Sequence, residues 1–307
     1  MRLPILFAAA LAAAPGGHVD RLVDLFAAKK PVFGLYAPSN RRGQGQEPTQ
    51  KTPQQLVEEA VAFRGSDFYF DGSMEGDFER GFPGFSGFVH AFAQQPLATR
   101  RAHPLTVKTP KIAADPAKAT LNISRQLNLG VSGIVFVEVE SAEELRQGLA
   151  AMRFKAKGGT RPDDVGGAPA YWGLSEKDYR AKADLWPLNP HGELVNWTIV
   201  ESKEGLAHVR EIAAVKGISV LFPGAGTLRG VFTTTNGAGE RVFDAAGWEA
   251  AIQQVLAACK EFAVPCGYPA NANDIELRMK QGFTVFISQW GDGGFKAIEL
   301  GRRATNP

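Results

Sequence analysis

Acidic side chains recur in this sequence where a buried-looking apolar run gives way to a polar turn. Asp71 closes Asp67-Phe68-Tyr69-Phe70-Asp71, with Glu75 and Asp77 just beyond. Glu138 and Glu140 stand in and after Gly133-Ile134-Val135-Phe136-Val137, and Glu201 ends Val195-Asn196-Trp197-Thr198-Ile199-Val200. Carboxylates that converge on one rim can hold a hard divalent cation through oxygen. Such a cation polarises a keto acid and stabilises its enolate. Lys108 ends Leu105-Thr106-Val107-Lys108 and offers a positive charge beside them. The turn Pro223-Gly224-Ala225-Gly226 can bring backbone N–H groups close to a carboxylate or phosphate, which makes Gly224 and Ala225 candidate substrate contacts. Singly, each carboxylate could as well cap a helix or face solvent. Only convergence gives them chemistry, so the elements that carry them decide the matter.

Those elements alternate. Strand-like runs at 31–36, 67–71, 105–108, 133–139, 195–201, 218–222, 265–268 and 284–288 are each followed by a segment of helical period. The helices are expected near 54–64, 82–95, 116–129, after Ser141, 175–184, 203–215, 244–263, 273–281 and 295–303. The second is expected to be broken by Pro83, Gly84 and Gly87, and Ser141 with Glu144 has capping-box spacing. Long loops are expected over 41–53, 155–169 and through Gly230 and Gly239. Regular βα alternation implies a parallel sheet with helical crossovers. Eight pairs in this length favour a closed (β/α)8 TIM barrel, and no glycine-rich dinucleotide or Walker-type loop follows the first strand. In such a barrel the strand C-termini carry the chemistry, and that is where the acids fall.

Composition narrows the partners. Of 307 residues 44% are hydrophobic and 21% charged, and the net charge of +2 comes without a basic stripe, so nucleic acid is not an expected partner. Cys259 and Cys266 are too few for a disulfide framework or a thiolate cage and read as small buried hydrophobes. The five histidines are scattered without metal-ligand spacing, and His191 belongs to the barrel bottom. The run Phe78, Phe82, Phe85, Phe88 and Phe92 reads as packing. Arg2 precedes an Ala/Leu-rich run to Ala14 and then Pro15-Gly16-Gly17, so residues 1–17 are expected to be a signal peptide, too short to span a bilayer. The chain is then periplasmic or secreted, with a cytoplasmic location and a helix plugging the barrel bottom as the alternative. Residues 18–307 form one barrel domain on this reading.

From Lys30 to about Arg303 the order of segments resembles the HpcH/HpaI aldolase / citrate lyase β-subunit family. The resemblance rests on Lys30-Pro31-Val32-Phe33-Gly34-Leu35, on Gly130-Val131-Ser132-Gly133-Ile134 through Val139-Glu140-Ser141-Ala142-Glu143-Glu144, and on Arg153-Phe154, Val200-Glu201-Ser202 and Gly282-Phe283-Thr284. It implies a phosphoenolpyruvate/pyruvate-type barrel, a divalent metal (Mg, Mn or Co), a small keto-acid substrate and a homo-oligomer. Carried over by residue, Glu201 takes the place of the family's metal-binding Glu, and Asp71 the Asp of its Asp/His pair. The second metal ligand, an Asp after the sixth strand, falls on Gly226, and the His falls near Met74. The family's substrate-binding Arg falls at or near Lys108, with Lys111 close by.

The resulting expectation is a metal-dependent lyase that makes or cleaves a carbon–carbon bond in a small 2-keto acid. Glu201 holds the metal, Glu138 or Glu75 completes it, Lys108 binds the substrate carboxylate and Asp71 orients water. The alternative is a non-catalytic or regulatory barrel, suggested by Met74 and Gly226.

Overall fold

The computed structural model describes residues 18–40 and 50–305. Residues 1–17 and most of the expected loop over 41–53 lie outside the described residues. Among the described residues ten strands occur in chain order: β1 Val32–Tyr36, β2 Phe68–Asp71, β3 Leu105–Thr109, β4 Gly133–Phe136, β5 Val195–Val200, β6 Val220–Pro223, β7 Thr233–Thr235, β8 Arg241–Phe243, β9 Gly267–Pro269 and β10 Val285–Ser288. Eight of them form one parallel sheet in the order β6-β5-β4-β3-β2-β1-β10-β9. The ring closes where the Leu221 N–H donates to the Pro265 carbonyl at 3.0 Å and Leu221 pairs with Cys266. All eight strands expected from the alternation are present, and the architecture is a (β/α)8 barrel.

Strand pleating sorts the side chains into two cores. Val32, Phe68, Phe70, Val135, Val195, Trp197, Ile199, Val220, Phe222, Val285 and Ile287 fill the barrel interior. Alternate residues, such as Ile134 and Phe136 on either side of Val135, and Leu105 and Val107 on β3, pack outward against the helices. Below the interior the helix Arg21–Ala27 pushes Leu22, Val23 and Phe26 into the N-terminal end of the ring. Asp20 caps that helix by accepting from the Leu22 N–H at 2.7 Å.

Several local expectations change. Phe78–Phe92 is one continuous helix with Pro83 inside it. Its buried stripe of Phe78, Phe85, Phe88, Val89 and Phe92 outweighs the lost hydrogen bond. The helix expected over 203–215 is two, Lys203–Ala207 and Val209–Ala213, parted at His208, whose Nδ1 lies 2.9 Å from the Glu140 carbonyl. The segment expected as a loop through Gly230 and Gly239 holds the helix Ala225–Val231 and the β7–β8 hairpin, where Asn236 Oδ1 accepts from Ala238 and Glu240. Ser141 does cap its helix by accepting from the Glu144 N–H, but Glu144 does not complete a box. Its carboxylate accepts from Glu140 and Ala113 instead, tying the ends of two βα loops together.

Cys259 and Cys266 are not separate buried thiols. The helix Ala245–Glu261 turns back toward β9 and brings their Cα atoms to 5.6 Å in a disulfide. The bridge anchors that helix to the residue at which the ring closes. Among the described residues no helix is long and apolar enough to cross a membrane.

Candidate active site

The alternation that fills the interior also selects the residues at its mouth. Along β5, Val195, Trp197 and Ile199 point inward, and the next inward position is Glu201. Along β3, Leu105 and Val107 face the helices, which leaves Lys108 directed into the barrel. The C-terminal mouth thus receives one carboxylate and one ammonium from residues 93 positions apart in sequence.

Glu201 is only 3% exposed. Its Oε1 accepts from the Glu138 N–H at 3.1 Å, and Thr227 lies beside the same carboxylate. Burial pushes its pKa up against the downward pull of Thr227, the Lys108 charge and the Glu138 N–H, and the Glu75 charge adds to the rise. A buried acid whose pKa is raised is suited to carry a proton between reacting groups. Gly224 makes room for it: a Cβ there would stand 2.4 Å from Glu201 Oε2 and 2.5 Å from its Cβ.

Lys108 Nζ donates to Glu75 Oε1 at 2.8 Å, with its side chain 12% exposed. Gln126 fixes its backbone by donating to the Lys108 carbonyl at 2.9 Å. An ammonium has three donors, so two remain for a ligand after Glu75 takes one. Lys111, three residues on, pairs with Glu140 at 2.5 Å and lies 3.7 Å from Glu138 Oε2.

The expected metal trio therefore does not assemble. Glu75 is drawn to Lys108 and Glu138 to Lys111, while Glu201 turns to a backbone N–H. Among the described residues no three His, Cys, Asp or Glu side chains are grouped so as to hold a metal ion. Glu138 sits at φ +49°, in the left-handed region that a side chain rarely adopts, and this turns its N–H toward Glu201. Gly226 supplies no carboxylate where the resemblance placed the second ligand, although a Cβ at that position would meet nothing within 4 Å. One buried carboxylate beside an ammonium is a poor donor set for a hard divalent cation, and the residues present do not fit that group.

Asp71 also departs from expectation. The pleat of β2 places it on the side of Tyr69, away from the axis, and its Oδ1 accepts from the Ser73 N–H at 2.6 Å. Met74, at the family's His position, is fully buried and carries no proton chemistry. The Gly224 N–H donates to the Val200 carbonyl at 3.0 Å and is not available to a substrate. Ala225 is buried, and its carbonyl accepts from Trp248 Nε1 at 2.9 Å. Sequence reasoning missed Thr227. Its signal was only its place one residue beyond Gly226, in the turn already singled out.

Comparison with known proteins agrees with this architecture. Residues 87–296, well over half of the chain, match the sequence model of HpcH/HpaI aldolase/citrate lyase. A hydroxypyruvate/pyruvate aldolase of Delftia acidovorans is 33% identical over 115 residues, 36% of this chain and 38% of that relative. The match thus spans well under half of the relative's length. An HpcH/HpaI aldolase/citrate lyase family protein from Burkholderia cenocepacia superposes with a TM-score of 0.66 at 19% identity, over 94% of this chain and 98% of that one. The CitE protein of Mycobacterium tuberculosis, solved with magnesium and acetate, gives a TM-score of 0.52 at 15% identity, over 94% and 93% of the two chains. At such identities the structural likeness speaks for the fold alone. The barrel and the match over residues 87–296 together place this chain in the HpcH/HpaI aldolase/citrate lyase family.

Proposed function

We propose that this chain makes or cleaves a carbon–carbon bond next to the carbonyl of a small 2-keto acid, using Glu201 and Lys108. The family is one of aldolase/citrate lyase-type enzymes, and its Delftia relative is a hydroxypyruvate/pyruvate aldolase. One observation carries the reading: a buried carboxyl with a raised pKa shares the C-terminal mouth with an inward-facing lysine. In the cleavage direction the ionised Glu201 takes the proton of the 4-hydroxyl. The C3–C4 bond breaks, C4 leaves as the aldehyde, and the electron pair stays on the keto acid as an enolate. The two free donors of Lys108 meet the carboxylate and the developing enolate oxygen. Protonated Glu201 then returns its proton to C3 to give the keto acid.

Lys108 in this scheme supplies charge that a metal supplies in a carboxylate-bound site, and no step passes through a metal ion. Retro-aldol turnover of 4-hydroxy-2-keto acids, measured with EDTA and then with Mg, Mn or Co, tests it. Turnover that survives EDTA is the expected result, and Mn binding is expected only once Gly226→Asp supplies a second carboxylate. Turnover that appears only with metal in the unaltered chain would overturn the lysine assignment. No turnover under any condition would favour a barrel that binds without catalysis, a reading to which buried Met74 at the His position lends weight.

We also infer export to an oxidising compartment. The Cys259–Cys266 disulfide supports it, since such bonds persist outside reducing cytosol. Thiol labelling of protein taken from the native cell should find both cysteines blocked, and two free thiols there would count against export.

A further inference from the structure

At the end of the barrel opposite the mouth lies a cavity of about 790 Å³, within the range of small-molecule sites. Its walls are apolar: Phe26 stacks on Trp186 with ring centroids 5.7 Å apart, and Leu188 and Phe262 are 43% and 36% exposed. The Cys259–Cys266 disulfide forms part of one wall. Four lysines, Lys29, Lys30, Lys216 and Lys260, line the same cavity, and no Asp or Glu does. Among the described residues none of the four forms an ion pair or a side-chain hydrogen bond, whereas Lys108, Lys111 and Lys182 are all paired with carboxylates. In a chain of net charge +2 this is a local excess of positive charge beside exposed apolar surface. The two remaining non-glycine residues with left-handed backbone among the described residues, Lys29 at φ 52° and Ala263 at φ 53°, both line this cavity. Both are helix ends: the Lys30 N–H donates to the Leu25 carbonyl and the Val264 N–H to the Cys259 carbonyl, each at 2.9 Å, so two helix C-termini shape the rim.

We propose that this cavity binds an anionic amphiphile, a free medium-chain fatty carboxylate, with its chain among Phe26, Trp186, Leu188 and Phe262 and its head group on the lysines. A small keto acid has no apolar body to fill such walls. A concave site suits a single chain better than a bilayer surface, which needs protruding apolar side chains.

Titration calorimetry with octanoate, decanoate and dodecanoate below their micellar concentrations tests the proposal. Saturable one-to-one binding is expected, tightening about fourfold per methylene as the chain is buried. Lys216→Glu with Lys260→Glu should weaken decanoate at least tenfold and leave decanol unchanged, and Leu188→Asp should weaken both. All of these side chains are exposed or at the cavity rim, and circular dichroism checks folding. Aldolase turnover should not change, because these residues lie at the far end of the barrel. Non-saturable uptake, affinity independent of chain length, or no effect of the lysine substitutions would overturn the assignment. So would sedimentation with phosphatidylglycerol vesicles without saturable decanoate binding, which would make the surface a membrane contact.

Discussion

Replacing Glu201 by Gln should lower kcat for the carbon–carbon bond step about 10³-fold, within the range of general acid–base catalysis, while the barrel stays folded. Gln keeps the shape and can still accept from the Glu138 N–H, so the loss isolates the proton function. The pH profile separates this role from a merely structural one. As the base of the cleavage direction Glu201 must be ionised, so the rate of the unaltered chain rises with pH through a pKa that burial has lifted above the ordinary Glu range. Gln cannot titrate, and the residual rate should lose that limb. A profile of unchanged shape, or a kcat within threefold of the original, would remove Glu201 from the chemistry. Lys108→Met serves as the contrast: it should raise KM as well as lower kcat, because the ammonium meets the substrate before the transition state and during it. It should not erase the Glu201 limb.

The barrel was legible because its signals repeat. Eight apolar runs, each followed by a helical period, left few topologies, and the positions of Glu201 and Lys108 followed from where β5 and β3 had to end. Their inward direction was equally open to inspection, since it follows from counting in twos along Val195-Asn196-Trp197-Thr198-Ile199-Val200-Glu201. What the sequence could not show was the choice of partner at the mouth. Glu75 and Glu138 both stand at the right strand ends, yet the carboxylate of each pairs with a lysine, Lys108 for one and Lys111 for the other. That depends on the left-handed turn at Glu138 and on loop paths that no periodicity encodes. Asp71 failed for a simpler reason: at a strand end one step of pleat decides between axis and helices, and it falls on the Tyr69 side. The disulfide was hidden because Cys259 and Cys266 are seven residues apart across a helix end, and only the tightness of that turn brings their Cα atoms to 5.6 Å.

The N-terminal helix gives the second large effect, and it acts on stability. Asp20 caps Arg21–Ala27 with one oxygen while 4% exposed, and its pKa is pushed up to about 7. Burial is the main cause, and Glu193 and Asp24 add their charges, against the pull of the Ser132 hydroxyl and the Leu22 N–H. Glu193 is fully buried and satisfied by Lys182 at 3.1 Å and by the N–H groups of Val19 and Asp20, so Asp20 faces an anion that has its own partners. Between the ordinary 3.8 and about 7 the folded chain holds a proton there that the unfolded chain has released. Stability from this group is therefore full below about pH 4 and is lost as the pH rises toward 7. The rise from 3.8 to about 7 corresponds to about 4 kcal/mol at alkaline pH. Asp20→Asn keeps an oxygen for the Leu22 N–H and cannot ionise. Urea unfolding should find the two chains alike near pH 4 and the variant more stable by up to about 4 kcal/mol at pH 8. A difference that does not change between those pH values would mean that Asp20 is ionised in the folded chain. The Asp20 side chain would then have to find a cation or solvent under the barrel, contrary to its burial beside Glu193.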